Sequence, residues 1–337
     1  MPLHSRFERL AKPAVYVIHE NDEWVEPLRV AFRQRDIPFA EWFVDGGTIE
    51  LADIPPHGVF YNRMSASSHT RAHRYAVELT APLLGWLHAH GRRVVNGRRA
   101  LQLEVSKFEQ YLALQAVGVP TPRTFAANGR AEVLAAARAL DSTPFIVKPN
   151  RGGKGLGVRL FHSLEELEDA PDADAVASLD GIELVQEYVR PARDSISRME
   201  FIGGRFYYQV DVDTTGGFEL CPADHCDIGD RFCPAGETPP QGDAAPASVA
   251  AKPKFVLSSD APDAGLVARL ERFFRENDAE IAAAEYVENK QGERFVYDIN
   301  MNTNYNRQAE LDAGGGRLGM ERVAEFLGAE LARSQAA

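Results

Sequence analysis

The sequence predicts an α/β protein: a small parallel-sheet domain at the N-terminus, then a region in which helices accompany antiparallel hairpins. Three observations carry that prediction. Short apolar runs alternate with amphipathic segments through residues 14–90. A β-branched run ending at Lys148 enters a loop with glycines at 152, 153, 155 and 157, then a second apolar run at 158–161. Later, Gly203-Gly204 and Gln291-Gly292 each separate two β-rich runs by the two residues that a tight hairpin needs.

Taken in order, residues 14–18 form a continuous apolar run, the mark of a buried strand. From Trp24 to Arg35 a helix is expected, with Leu28, Ala31 and Phe32 on one face. Residues 39–44 and 58–61 read as the second and third strands. Parallel sheets bind ligands beyond the carboxyl ends of their strands, where Asn62, Arg63 and Ser65 fall. Arg63 there either meets a substrate carboxylate or is a surface arginine. A helix is expected from Thr70 to His90, with Tyr75, Leu79, Leu83 and Trp86 on one stripe and Pro82 kinking or splitting it. His69 and His73 are four apart but lack the glutamate of a zinc-protease helix, so metal binding there is disfavoured. A helical segment carrying Lys107 ends at Gly118. Pro120 and Pro122 keep the next residues extended, and another helix is expected over 131–140.

The glycine loop suits a polyphosphate. Glycines let backbone N–H groups converge on an anion without Cβ interference, and Lys148 and Lys154 add charge. The alternative is a plain glycine-rich hairpin turn. A Walker A loop is excluded because Gly155, not Ser or Thr, follows Lys154. A dinucleotide fingerprint is excluded because strand-like sequence, not a helix, follows Gly157. A flap closing over phosphates remains.

Beyond it, residues 183–189 read as a strand. The Gly203-Gly204 turn sets Phe201 opposite Phe206 and puts Arg198 and Glu200 on one face. Centring the last hairpin on Gln291-Gly292 pairs Val287 with Val296 and Glu285 with Asp298. Asn300 shares the face of Asp298, while Tyr286, Tyr297 and Ile299 point away. Opposed carboxylates repel unless a cation sits between them, and hard oxygen ligands of this kind select Mg²⁺. A polar run from Met301 to Arg307 follows. Gly314 to Arg317 is a second anion loop or a flexible turn, ahead of a last helix over 320–332.

The 337 residues suffice for two or three domains, and 45% hydrophobic content is that of a globular chain. A net charge of −12 argues against a nucleic-acid or acidic-membrane partner, and no apolar run could span a bilayer. The opening residues lack a signal-peptide core, so a cytoplasmic protein is expected. The loop from Asp227 to Lys254, with Lys252 and Lys254 at its end, is expected to be a lid or an insertion. Three cysteines make no disulfide framework. Cys221, His225, Cys226 and Cys233 offer zinc ligands, but in an awkward pattern without paired knuckles, so a reduced set beside the active site is preferred.

Lys107, the Lys148 strand, the glycine flap, the run from Gln186 to Val189 and the Glu285/Asp298/Asn300 set together resemble the ATP-grasp superfamily, specifically RimK-like amino-acid and peptide ligases, over residues 94–306. The resemblance implies an ATP-grasp fold: a pre-ATP-grasp domain (1–98), a small α+β subdomain with the flap (99–190) and a large one with the magnesium site (191–337), ATP lying between the last two. It implies that Lys107 and Lys148 hold the α- and β-phosphates beneath Gly152, Gly153, Lys154, Gly155 and Gly157. Gln186, Glu187, Tyr188 and Val189 would lie along the adenine and Asp194 by the ribose. Glu285, Asp298 and Asn300 would hold two Mg²⁺ (or Mn²⁺). Many ligases of the superfamily carry an arginine where Ala283 stands, which leaves Arg198 or Arg307 to join Lys148 in catalysis. The implied reaction is ATP-dependent carboxylate–amine ligation on amino acids or peptides, in a chain that could form a homo-oligomer such as a dimer. A small-molecule kinase and a non-catalytic nucleotide-binding protein are the alternatives.

Overall fold

The computed structural model describes residues 7–153, 155–171, 178–215, 253–316 and 318–336. The expected cysteine cluster, Lys154, Arg317 and almost all of the expected lid lie outside them.

Four parallel strands form the first sheet, sheet A. They are β1 (Ala14–His19), β2 (Phe39–Phe43), β3 (Gly58–Asn62) and β4 (Arg93–Val95), ordered β2-β1-β3-β4. Alternation along β1 sorts its two faces. Val15 and Val17 pack with Val25, Leu28, Ala31 and Phe32 of helix α1 (Asp22–Gln34), as its periodicity predicts. Tyr16 and Ile18 pack with Leu83, Leu84 and Leu87 of α2 (Ala76–Ala89). Two features differ from expectation: the helix is not split at Pro82, and Tyr75, 70% exposed just before it, is off the buried stripe. Residues 68–71 are a separate 3₁₀ turn, closed by Ala72 in the left-handed region, so the helix starts later than its apolar pattern suggests.

Helices α3 (Arg98–Glu104) and α4 (Lys107–Ala116) follow, and Ser106 caps α4 by accepting from the Glu109 N–H. Sheet B comprises β5 (Thr124–Ala127), β6 (Phe145–Pro149), β7 (Arg159–Phe161) and β8 (Glu183–Glu187), antiparallel in the order β5-β8-β6-β7. Its apolar face, including Val147 and Val185, packs on α5 (Arg130–Leu140) and α6 (Leu164–Asp169). Lys148, next to Val147, therefore takes the opposite face.

Sheet C is built from β9 (Ser195–Ile202), β10 (Arg205–Asp213), β11 (Phe255–Leu257), β12 (Ile281–Glu288) and β13 (Arg294–Asn300), ordered β11-β10-β9-β12-β13. Gly203 and Gly204 both have positive φ, 63° and 67°, as the two-residue turn requires, and Phe201 pairs with Phe206 as expected. One face of the sheet, with Met199, Phe201, Ala282 and Ala284, packs on α7 (Ala264–Glu276) and on Leu103 and Leu114 of α3 and α4. The other face carries Arg198, Glu200 and Glu285. After the short α8 (Arg307–Asp312), helix α9 (Gly319–Ala336) returns to sheet A, where Val323 and Leu327 join the cluster of Val15 and Phe32.

Asn96 joins sheets A and C. It is buried, with φ 57°. Its Nδ2 donates to the carbonyls of Ile281 (2.6 Å) and Met301 (2.9 Å), and its Oδ1 accepts from the N–H groups of Glu280 (2.9 Å) and Ile281 (3.1 Å). Every hydrogen-bonding position of the amide is used.

Candidate functional site

A cavity of about 340 Å³ opens where the three sheets meet. Sheet B supplies Lys148 and the glycine loop, and sheet C supplies Arg198, Glu285, Asp298 and Asn300. The loop after β3 adds Ser65 and Ser67, and α1 adds Trp24.

On the sheet B side the lysines converge. The Lys107 N–H donates to the Asn150 carbonyl (3.2 Å), and the Phe108 N–H donates to Asn150 Oδ1 (2.9 Å), so one asparagine pins the start of α4 to the base of the flap. Lys148 Nζ donates to the Tyr111 hydroxyl (2.7 Å). Burial, and then the charge of Lys107, push the Lys148 ammonium down to about 7. The flap needs its glycines. Gly155 and Gly157 have φ of 72° and 76°, and a Cβ on Gly153 would come within 3.2 Å of Ser67. Gly152, Gly153 and Gly155 line the cavity, whereas Gly157 is not among the lining residues. Gln186, Glu187, Tyr188, Val189 and Asp194 line it too. The Gln186 amide is committed to Thr124 Oγ1 (2.7 Å), and the Glu187 N–H to the Arg123 carbonyl (2.9 Å).

On the sheet C side Glu285 and Asp298 face each other across β12 and β13, as expected, and Asn300 Nδ2 donates to Glu285 Oε1 (3.1 Å). Each carboxylate has its own cation. Lys107 pairs with Asp298, and Arg198, opposite Glu285 on the neighbouring strand, donates to Glu285 Oε1 (2.6 Å). Burial opposes the charge on Lys107, yet Asp298, with Tyr111 and Glu285 acting the same way, raises that ammonium. Burial raises the Glu285 carboxyl, with Arg198 working against the rise. Arg198 also binds Glu200 Oε1 (2.6 Å) and Thr303 Oγ1 (2.5 Å).

The hairpin register differs from the expected one towards its turn. Val287 pairs with Phe295, not Val296, because a bulge between Glu285 and Tyr286 gives β13 one extra residue. The extra residue is Tyr297. It was expected to point away from the site, but the bulge turns its hydroxyl onto Glu285 Oε2 (3.1 Å) and makes it part of the cavity wall. No glycine or proline marks the bulge, so no local residue pattern announces it.

Arg63 is neither a surface residue nor an open carboxylate receptor. It is 2% exposed, and its guanidinium is spent on the 302–304 turn. His69 Nδ1 lies by the Ala66 carbonyl (3.2 Å) and His73 by Glu20 (3.1 Å), so the two do not form a ligand pair. Arg307 is exposed in the first turn of α8 and does not line the cavity. Sequence reasoning missed Glu104, whose carboxylate accepts from the N–H groups of Ala66 (3.2 Å) and Met301 (2.8 Å) and is pushed up to about 7 by burial. It also missed Trp24 and Ser67. Nothing in the local sequence distinguishes these three from ordinary helix and loop residues.

No family model matches the chain. Solved structures do. A RimK-domain ATP-grasp protein from Sphaerobacter thermophilus superposes with a TM-score of 0.63 at 17% identity, covering 93% of this chain and 98% of its own. The D-cycloserine synthetase DcsG gives 0.63 at 16%, covering 94% and 100%. The chain has the ATP-grasp fold. PsnB, an ATP-grasp ligase solved with a phosphomimetic variant of its minimal precursor, Mg and ADP, gives 0.61 at 14% over 95% and 99%. In sequence, 103 residues are 31% identical to a D-alanine–D-alanine ligase of Marinobacter nauticus; the match spans 30% of either chain. Among the described residues no helix is long and apolar enough to cross a membrane.

Proposed function

We propose that this ATP-grasp protein is an ATP-dependent carboxylate–amine ligase. The observation that carries the reading is the shared cavity: the lysines and glycines of one side and the acidic pair of the other face a single space. The fold of DcsG and PsnB and the short match to a D-alanine–D-alanine ligase support the same class. We assign the three segments 1–98, 99–190 and 191–337 the roles of pre-ATP-grasp domain, flap subdomain and metal subdomain.

Lys107 and Lys148 would grip the phosphates, and the flap amides would add neutral donors around them. With its ammonium pushed down to about 7, Lys148 would regain a full proton as phosphate charge arrives. Gln186 to Val189 would wall the adenine and Asp194 the ribose. The donor set fits a hard divalent ion, since the buried Glu285 carboxylate, the half-buried Asp298 carboxylate and an amide meet on one face. Glu285, Asp298 and Asn300 would hold Mg²⁺ or Mn²⁺, which, when bound, neutralises charge on the terminal phosphates. A substrate carboxylate oxygen attacks the γ-phosphorus, breaking its bond to the β-bridging oxygen and releasing ADP. An amine nitrogen then attacks the acyl carbon and expels phosphate, leaving an amide. Arg198, held between Glu200 and Glu285, supplies a fixed positive field beside the transferred group. The close approach of Gly153 to Ser67 lets the flap shield the acyl phosphate from water.

The test is an ADP-release screen of amino acids and small carboxylates with ATP and Mg²⁺, each with and without an amine acceptor, hydroxylamine included. Amine-dependent product and a trapped hydroxamate are expected. ADP with a stable phosphorylated product and no amine requirement would make the protein a kinase.

A further inference from the structure

Arg63 is a buried cation surrounded by neutral acceptors. Its Nε donates to Asn302 Oδ1 (3.0 Å), and its Nη2 donates to Asn304 Oδ1 (2.7 Å) and the Thr303 carbonyl (3.1 Å). Nη1 faces the Met320 sulfur at 3.8 Å, and the Tyr61 ring lies 5.9 Å away. None of the ion pairs among the described residues involves Arg63. Buried charges are ordinarily paired. Here the cation stands directly behind the wall of the cavity, with only two asparagines between.

Those asparagines have a fixed orientation. A guanidinium only donates, so the amide atom facing it must be oxygen in both. Asn302 and Asn304 each line the cavity, and neither Nδ2 has a partner among the described residues. Thr303, between them, turns the other way, its Oγ1 accepting from Arg198 (2.5 Å) and donating to Glu200 (2.8 Å). The wall thus offers the cavity two NH₂ donors, both polarised by the same cation.

We propose that Asn302 and Asn304 form a carboxylate subsite, with Arg63 as the positioning residue behind it. A carboxylate held by the two NH₂ groups is the anion Arg63 lacks. The subsite offers no acceptor, because both amide oxygens are spent, so a substrate ammonium is excluded from this wall. The identity of the occupant as a reaction substrate rests on the ligase reading; the preference for a carboxylate rests on the geometry alone.

The test is a binding titration of the intact protein with AMP-PNP and Mg²⁺ present. The probes are small mono- and dicarboxylates and matched triads, each an amino acid, its amide and its decarboxylated amine. The acids are expected to bind, the amides more weakly and the amines not at all. Asn304→Asp keeps an oxygen for Arg63 but replaces the free NH₂ with a second, charged oxygen. It should weaken acid binding by about tenfold or more, with AMP-PNP affinity changed less than twofold. Asn302→Asp should do the same. Equal binding of acid, amide and amine overturns the proposal, as does binding by none, or an Asn304→Asp affinity equal to the parent's. Failure of AMP-PNP to bind would instead sink the ligase reading, while the ordering of acid, amide and amine would still decide the subsite.

Discussion

Arg198 and Arg63 are two buried guanidiniums beside one cavity, 4% and 2% exposed, and both reach Thr303. Arg198 is enclosed by two carboxylates, Glu200 and Glu285, which together outweigh its burial and raise its proton affinity. Arg63 meets carbonyl and amide oxygens, a sulfur and the Tyr61 ring, all of them neutral. The first is part of a network in which every charged side chain has an opposite charge within reach. The second has hydrogen-bond partners but no charge partner among the described residues. Under the two proposals above, the difference divides the cavity into a part for phosphate chemistry and a part that selects an anionic substrate.

The largest expected effect is on the charge-paired side. Asp298→Asn keeps an oxygen towards Lys107 but removes a charge from the acidic pair. ADP release should fall by two to three orders of magnitude, roughly the loss seen when one electrostatic partner of a transition state is removed. Unchanged turnover would take Asp298 out of the site. Next comes stability. Arg198→Met strands Glu200 and Glu285 in the interior and should cost about 3–5 kcal/mol. Arg63→Met strands only neutral acceptors and should cost about 1–3 kcal/mol. Denaturant unfolding of both variants measures the contrast, and equal losses would break it. The last effect concerns pH and is read as a slope, not as a loss. A lysine held at about 7 when folded and near 10.4 when unfolded binds fewer protons in the native state between those values. Stability of the nucleotide-free protein should therefore rise as pH goes from about 7 to 10. Lys148→Met should remove that slope, and a variant that kept it would place the titration elsewhere.

Much of the strand register around the candidate site is legible in the sequence. A two-residue turn fixes register near it, so Gly203-Gly204 placed Phe201, Arg198 and Glu200 correctly. The same logic matched Glu285 to Asp298 but missed the irregularity next to them, because a bulge stabilised by a tyrosine–carboxylate hydrogen bond leaves no compositional trace. Arg63 was found at the right end of its strand and given the wrong surroundings. Its partners are more than 230 residues away in sequence, and no local pattern encodes them. Trp24 reaches the cavity from the first turn of α1 for the same reason: the placement depends on how the sheets meet, not on their own periodicities.

The filled amide of Asn96 has a mechanical consequence. Sheets A and C are riveted at one buried point and share an apolar cluster that α9 completes. Sheet B keeps an apolar cluster of its own, drawn from its strands with α5 and α6. A jaw that must open for a nucleotide would therefore hinge at sheet B, and the other two sheets would act as its anvil.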